Sequence, residues 1–252
     1  FIHNMMPETC PMIRATLQQD IASMHFRLNA LGDAYLAWTN GNAAPLEDLA
    51  KRAFAVAAAD NHLRVYERHR ERLNALRYSR AIAHLDVADA SLRLARNYTC
   101  PDTKDEARSA YFVKITKLHE KQAMDLRTRM VIPHVIDQNH LDNRISSIES
   151  GLQKLEAGTG ISKKPGDLAG DYRLIARTLV NLATTMHDEL RQNLAYVGIS
   201  RMRASTGDKD AGWALQPPIT NAFSRDFVSM RLIQGSISSA MMEVQKHTPP
   251  TP

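Results

Sequence analysis

The chain has 252 residues, 44% of them apolar and 23% charged, and 32 Lys and Arg against 27 Asp and Glu give a formal net charge of +5. That length suits one large domain, or one domain with a small appendage, and the composition is sufficient for a core. No run approaches the roughly 18 uncharged apolar residues of a membrane-spanning helix, and the two cysteines, Cys10 and Cys100, are too few and too far apart for a disulfide framework.

Residues 1–11, with Pro7 and Pro11, read as an irregular arm, and a chain starting at Phe1 is expected to be processed or part of something longer. From Met12 the apolar positions Ile13, Leu17, Ile21, Met24, Leu28, Leu31 and Tyr35 step by three or four, one stripe of a helix. Asn40-Gly41-Asn42 stops it, and Pro45 opens the next, with Glu47 and Asp48 in its first turn. That second helix is expected to run unbroken from Leu46 to Tyr98, with no Gly or Pro inside it. The turn containing Cys100-Pro101 should send a third helix, Thr103 to Glu156, back antiparallel, kinked at Pro133. Residues 12–160 thus form a long-helix bundle.

A polar linker from Gly158 to Gly166 leads to a fourth helix, Leu168 to Arg203, so that 161–203 is linker and helix. Residues 204–252 are expected to hold a loop, an amphipathic helix from Thr220 to Lys246 and a disordered tail. The fold class that follows is all-α: an elongated antiparallel helical bundle with a C-terminal helical extension.

Motifs for catalysis are nearly missing. A di-iron bundle needs two inward Glu-x-x-His units, and the nearest approach is a single Asp137-x-x-His140. His119-Glu120 lacks the second histidine of a zinc-protease helix, since Ala123 stands there. Gly158-Thr-Gly-Ile-Ser-Lys-Lys164 resembles a phosphate loop but lacks the Gly-Lys-Ser/Thr ending and follows a helix, so a polar linker is expected. No catalytic residue, metal or cofactor is therefore assigned, and the chain is expected not to be an enzyme.

The basic residues carry more. Between Leu63 and Tyr98 stand eight arginines against four acids. Arg77, Arg80, Arg93 and Arg96 are the candidate lipid- or anion-binding set, expected on one solvent-open electropositive face. The alternative is a solvated face knitted by pairs such as Glu71 with Arg68. Nucleic acid is not favoured, because no recognition motif accompanies the charge and aromatic residues are sparse around it.

Several segments between Met12 and Leu190 carry a family likeness. They are Leu31-Gly-Asp-Ala-Tyr-Leu-Ala-Trp38, Asp60 to Tyr66, Cys100-Pro-Asp102 and Pro165-Gly-Asp-Leu-Ala-Gly-Asp-Tyr172. In the order of its elements the chain resembles the BAR-domain superfamily of membrane-shaping dimers, and within it the fungal eisosome core components. The resemblance implies a non-enzymatic crescent homodimer, or larger assembly, that binds an anionic membrane surface from the cytoplasmic side as a curvature scaffold. The family's lipid-binding cluster would fall on Ser79 to Asp89, where Arg80 carries over and Arg77 stands beside it. The competing expectation is a helical accessory subunit packed against neighbouring subunits of a large, mitochondrial complex.

Overall fold

The computed structural model describes residues 62–130, 137–159, 166–205 and 217–248, with residues 161 and 164 and scattered positions between 19 and 48. The expected arm 1–11, most of the helix from Met12, most of 46–61, Pro133, the loop 206–216 and the last four residues lie outside the described residues. The described residues form an all-α helical bundle without strands. Its helices are α1 (His62–Asn97), α2 (Glu106–Arg129), α3 (Gln138–Glu156), α4 (Leu168–Ser205) and α5 (Pro217–His247).

The stop at residues 40–42 is visible. Gly41 has φ +92, a left-handed conformation that a glycine adopts without strain, and Asn42 Oδ1 accepts from the Ala44 N–H at 3.2 Å. At the end of α1, Pro101–Thr103 forms one 3₁₀ turn, and the α-helix that follows starts at Glu106 and not at Thr103. Asp105 fixes that start by accepting from the Arg108 N–H at 3.1 Å.

The expected helix Thr103–Glu156 is two helices. α2 ends at Arg129, and Met130 is extended at φ −76, ψ 125. Asp137 then caps α3 by accepting from the His140 N–H at 2.9 Å. The sequence contains the cause: a helix continued through a proline at 133 would set its ring against the carbonyl of Arg129, and a good N-cap four residues later starts a new helix at low cost. The chain reverses here. Arg127 bonds Asp142 at 2.9 Å and Lys117 bonds Glu156 at 2.7 Å, so α3 runs antiparallel to α2 and alongside α1.

α1 is the centre of the bundle. One of its faces, with Ala83, Val87, Ala90, Leu94 and Tyr98, packs into a cluster with α4 and α5. The other, with Ala81, Leu85, Ala88 and Leu92, packs against α2 and α3. Four alanines among these positions let neighbouring backbones approach closely, while Leu85 and Leu94 are fully buried. Burying each such leucine contributes about 1.5–3 kcal/mol. The C-terminal extension is α5, whose Met230, Ile233, Ile237 and Val244 enter the first cluster. Not every apolar position points inward: Tyr111, Leu118, Leu174 and Leu232 are exposed.

Candidate functional site

Arg77, Arg80, Arg93 and Arg96 do not share one face. Sixteen residues separate Arg77 from Arg93, and Arg80 from Arg96, which at 100° per residue turns each pair about 160° apart. Each pair therefore has its own setting.

Arg80 is not open to solvent; 7% of it is exposed. Its Nη2 donates to Asp226 Oδ1 at 2.8 Å, and its Nη1 donates to Glu189 Oε2 at 3.1 Å and Asp226 Oδ2 at 3.2 Å. Burial works against its charge, but the carboxylates of Asp226 and Glu189 outweigh burial and hold it ionised. Arg77 lies half-exposed beside it, 3.5 Å from Glu189. This is an ion cluster tying α1, α4 and α5 together, with its acids supplied by the chain itself.

Arg93 and Arg96, one turn apart near the end of α1, line an open cleft of about 1120 Å³ between α1, α3 and the start of α4. Lys164 from the glycine-rich linker and Arg173 and Arg177 from α4 also line it. Four acids share the cleft, and they are engaged. Arg144 donates to Asp86 at 2.7 Å and to Asp89 at 2.6 Å. Arg173 lies 3.4 Å from Asp167, and Arg93 lies 3.5 Å from Asp171. Burial is the main force raising the Asp171 carboxyl above its ordinary range; Arg93 opposes it, Asp167 reinforces it and the Asn97 amide opposes it.

Asn97 organises the back of the cleft. Its Nδ2 donates to Asp171, and its Oδ1 accepts from the Gly166 N–H at 2.7 Å. One side chain thus ties the end of α1 to the linker and to the first turn of α4. Arg96 differs from its neighbours: its guanidinium makes no ion pair or hydrogen bond among the described residues, and its Nε is buried without a partner. It crosses α3 at Gly151, where an added Cβ would stand 3.1 Å from its Nη2 and 2.6 Å from Leu92 Cδ2. The small residue leaves room for the guanidinium.

Elsewhere the structure joins residues that the sequence kept apart. His84 and His119 meet through their Nδ1 atoms at 2.9 Å, and the hydroxyls of Tyr98 and Tyr172 meet at 2.6 Å. Glu120 is hydrogen-bonded to Glu149, and burial first, then that bond and the second carboxylate's charge, push Glu120 up to about 7. No spacing rule signals these pairs, because their members stand on different helices. Among the described residues no three of His, Cys, Asp and Glu converge as a metal site, and no helix is long and apolar enough to cross a membrane.

No family model, curated protein or solved structure matches this chain. The likeness to BAR-domain proteins accordingly stands on the sequence patterns alone.

Proposed function

We propose that this chain is a non-enzymatic helical scaffold that engages anionic headgroups at a membrane surface, as a homodimer or larger assembly on the cytoplasmic face. The basic residues assigned to that contact are Arg93 and Arg96, with Lys164 beside them, in place of the set that included Arg77 and Arg80. The observation that carries the reading is Arg96: a guanidinium without a carboxylate partner, at the wall of an open cleft shared with four other cations. Each basic residue held near an anionic surface contributes about 1 kcal/mol, and the attraction decays over a Debye length of about 8 Å at physiological salt.

The test is cosedimentation with vesicles of phosphatidylcholine alone and with added phosphatidylinositol bisphosphate. Binding is expected only to the anionic vesicles, to weaken steeply with salt, and to be lost in Arg93→Glu/Arg96→Glu. Equal binding by that double variant sinks the proposal.

A second reading, an accessory subunit of a large mitochondrial assembly, has its own support. Val228, Leu232 and Met242 are 59%, 70% and 61% exposed and fall on one stripe of α5. An apolar stripe of this kind suits burial against another chain. Under this reading the purified protein ignores anionic vesicles, and Leu232→Glu disrupts assembly in the cell while leaving the isolated bundle folded.

A further inference from the structure

Between α2 and α5, over a floor made by α1 and α4, lies a cavity of about 350 Å³. Its walls are mainly apolar, with Val87, Phe112, Ile175 and Leu179 among them. It is separate from the basic cleft, which opens between α1, α3 and α4.

The polar groups around this cavity are few, and their protons can be followed. Arg108 and Glu243 at its edge pair with each other at 3.3 Å, so no net charge faces a ligand there. The Ser236 and Ser239 hydroxyls donate to the carbonyls of Leu232 and Gly235, at 3.1 and 3.0 Å. The Tyr172 hydroxyl is engaged with that of Tyr98 at 2.6 Å, and Tyr111 is an exposed residue at the rim. That leaves His119, which lines the cavity while its Nδ1 faces His84 Nδ1 at 2.9 Å.

Both imidazoles are neutral at pH 7. Burial lowers His84 well below its ordinary range, helped by His119 and the charge of Arg80, and burial lowers His119 to about 4. In a neutral pair one Nδ1 donates and the other accepts. His84 Nε2 is buried without a hydrogen-bond partner. An orphaned buried N–H is rarer than an under-satisfied acceptor, so the favourable arrangement keeps the His84 proton on Nδ1 and leaves its Nε2 bare. His119 Nδ1 then accepts, and its own proton sits on Nε2. The one side-chain hydrogen bond of His119 among the described residues is that at its Nδ1, so the Nε2–H is uncommitted there.

We infer that this cavity binds a small, uncharged, mostly apolar molecule carrying one carbonyl-type acceptor, which takes its hydrogen bond from His119 Nε2–H. An apolar pocket with one uncommitted donor selects by shape and by that single acceptor. A carboxylate would bring an unpaired charge into the cavity and is disfavoured, because the one cation at its edge is already held by Glu243.

The test uses the full chain and the uncharged naphthyl ketone 6-propionyl-2-dimethylaminonaphthalene, whose emission shifts to the blue in apolar surroundings. The expected result is saturable binding of one probe per chain with a blue shift. The analogue with the ketone reduced to a methylene should bind about tenfold more weakly, the loss of one hydrogen bond. Ser239 is exposed at the cavity wall, so Ser239→Trp should close the cavity and abolish binding while circular dichroism keeps its helical signal. If that variant lost its helicity, Ser236→Trp, at a second exposed wall position, would take its place in the same comparison. Non-saturable binding, several probes per chain, equal affinity for the methylene analogue, or unchanged binding in the folded tryptophan variant would each overturn the inference.

Discussion

Arg80 on α1 and Asp226 on α5 are joined by two bonds, Nη2 to Oδ1 at 2.8 Å and Nη1 to Oδ2 at 3.2 Å, across a separation of 146 residues. Both residues are buried, and Glu189 from α4 completes the cluster. Arg80→Ala would leave Asp226 buried without this cation and Glu189 with only the half-exposed Arg77, and it should destabilise the fold by about 3–5 kcal/mol in urea titration. The triple variant Arg80→Met/Glu189→Leu/Asp226→Leu should recover most of that loss, because removing all the charges also removes their desolvation. A triple variant no more stable than Arg80→Ala would contradict this account of the cluster.

Glu120 sets a pH dependence opposite to that of most carboxylates. Its folded value, about 7, lies above its unfolded value of about 4.5. The folded state therefore holds a proton that the unfolded state has released, and stability falls as pH rises from about 4.5 to 7. Glu120→Gln, which keeps the neutral form, should flatten this limb and raise the melting temperature at pH 8 relative to the natural chain. An unchanged profile would mean that Glu120 is ionised in the fold.

The histidine pair acts from the acid side. With His119 lowered to about 4 and His84 lowered well below its ordinary range, the unfolded state takes up protons near pH 6.5 that the folded state refuses. Stability is whole above that pH and is lost as pH falls towards 4. The double variant His84→Leu/His119→Leu should remove this acid limb. Titration by NMR that placed either imidazole near 6.5 in the folded protein would refute the prediction.

Two helical glycines should respond to alanine with opposite signs. Gly235 has nothing within 4 Å of its would-be Cβ, so Gly235→Ala should stabilise by about 0.5–1 kcal/mol through helix propensity. At Gly151 the same change drives a methyl to 2.6 Å from Leu92 Cδ2. Leu92 is itself buried, and overpacking of about 1–3 kcal/mol offsets the propensity gain. Gly151→Ala should accordingly be neutral to destabilising, and it should also disturb Arg96. Thermal melts of the two single variants decide the matter.

The helical class was legible because apolar residues recur at three and four positions over long stretches, and the turn at Cys100-Pro101 was marked by its proline. The break after Arg129 was less so. Apolar residues run on through it at Met130, Val131, Ile132, Val135 and Ile136, and a proline alone does not separate a kink from a reversal. Asp137, a good N-cap, is the sign in the sequence that a new helix starts there. The division of the four arginines into two settings follows from counting turns, but the depth of Arg80 does not. Its partners lie 109 and 146 residues further on, and only tertiary packing brings them together. The facing of His84 and His119 depends likewise on the register of α1 against α2.

The double-faced burial of α1 fixes an order of opening. Residues Ala81 to Ala95 contribute to both apolar clusters, so none of α2, α3 and α4, the helices packed most directly on α1, can leave without stripping one side of this segment. Exchange of its amide protons therefore requires loss of the packing on both sides, and those amides should be the slowest among the described residues to pick up deuterium. α5 packs chiefly on α4, is tied to the rest at Asp226 and Glu243, and can part from the bundle while the two faces of α1 against α2, α3 and α4 stay covered. Among the described helices deuterium should enter it first, and the free energy of that partial opening is the part of the total stability that α5 contributes.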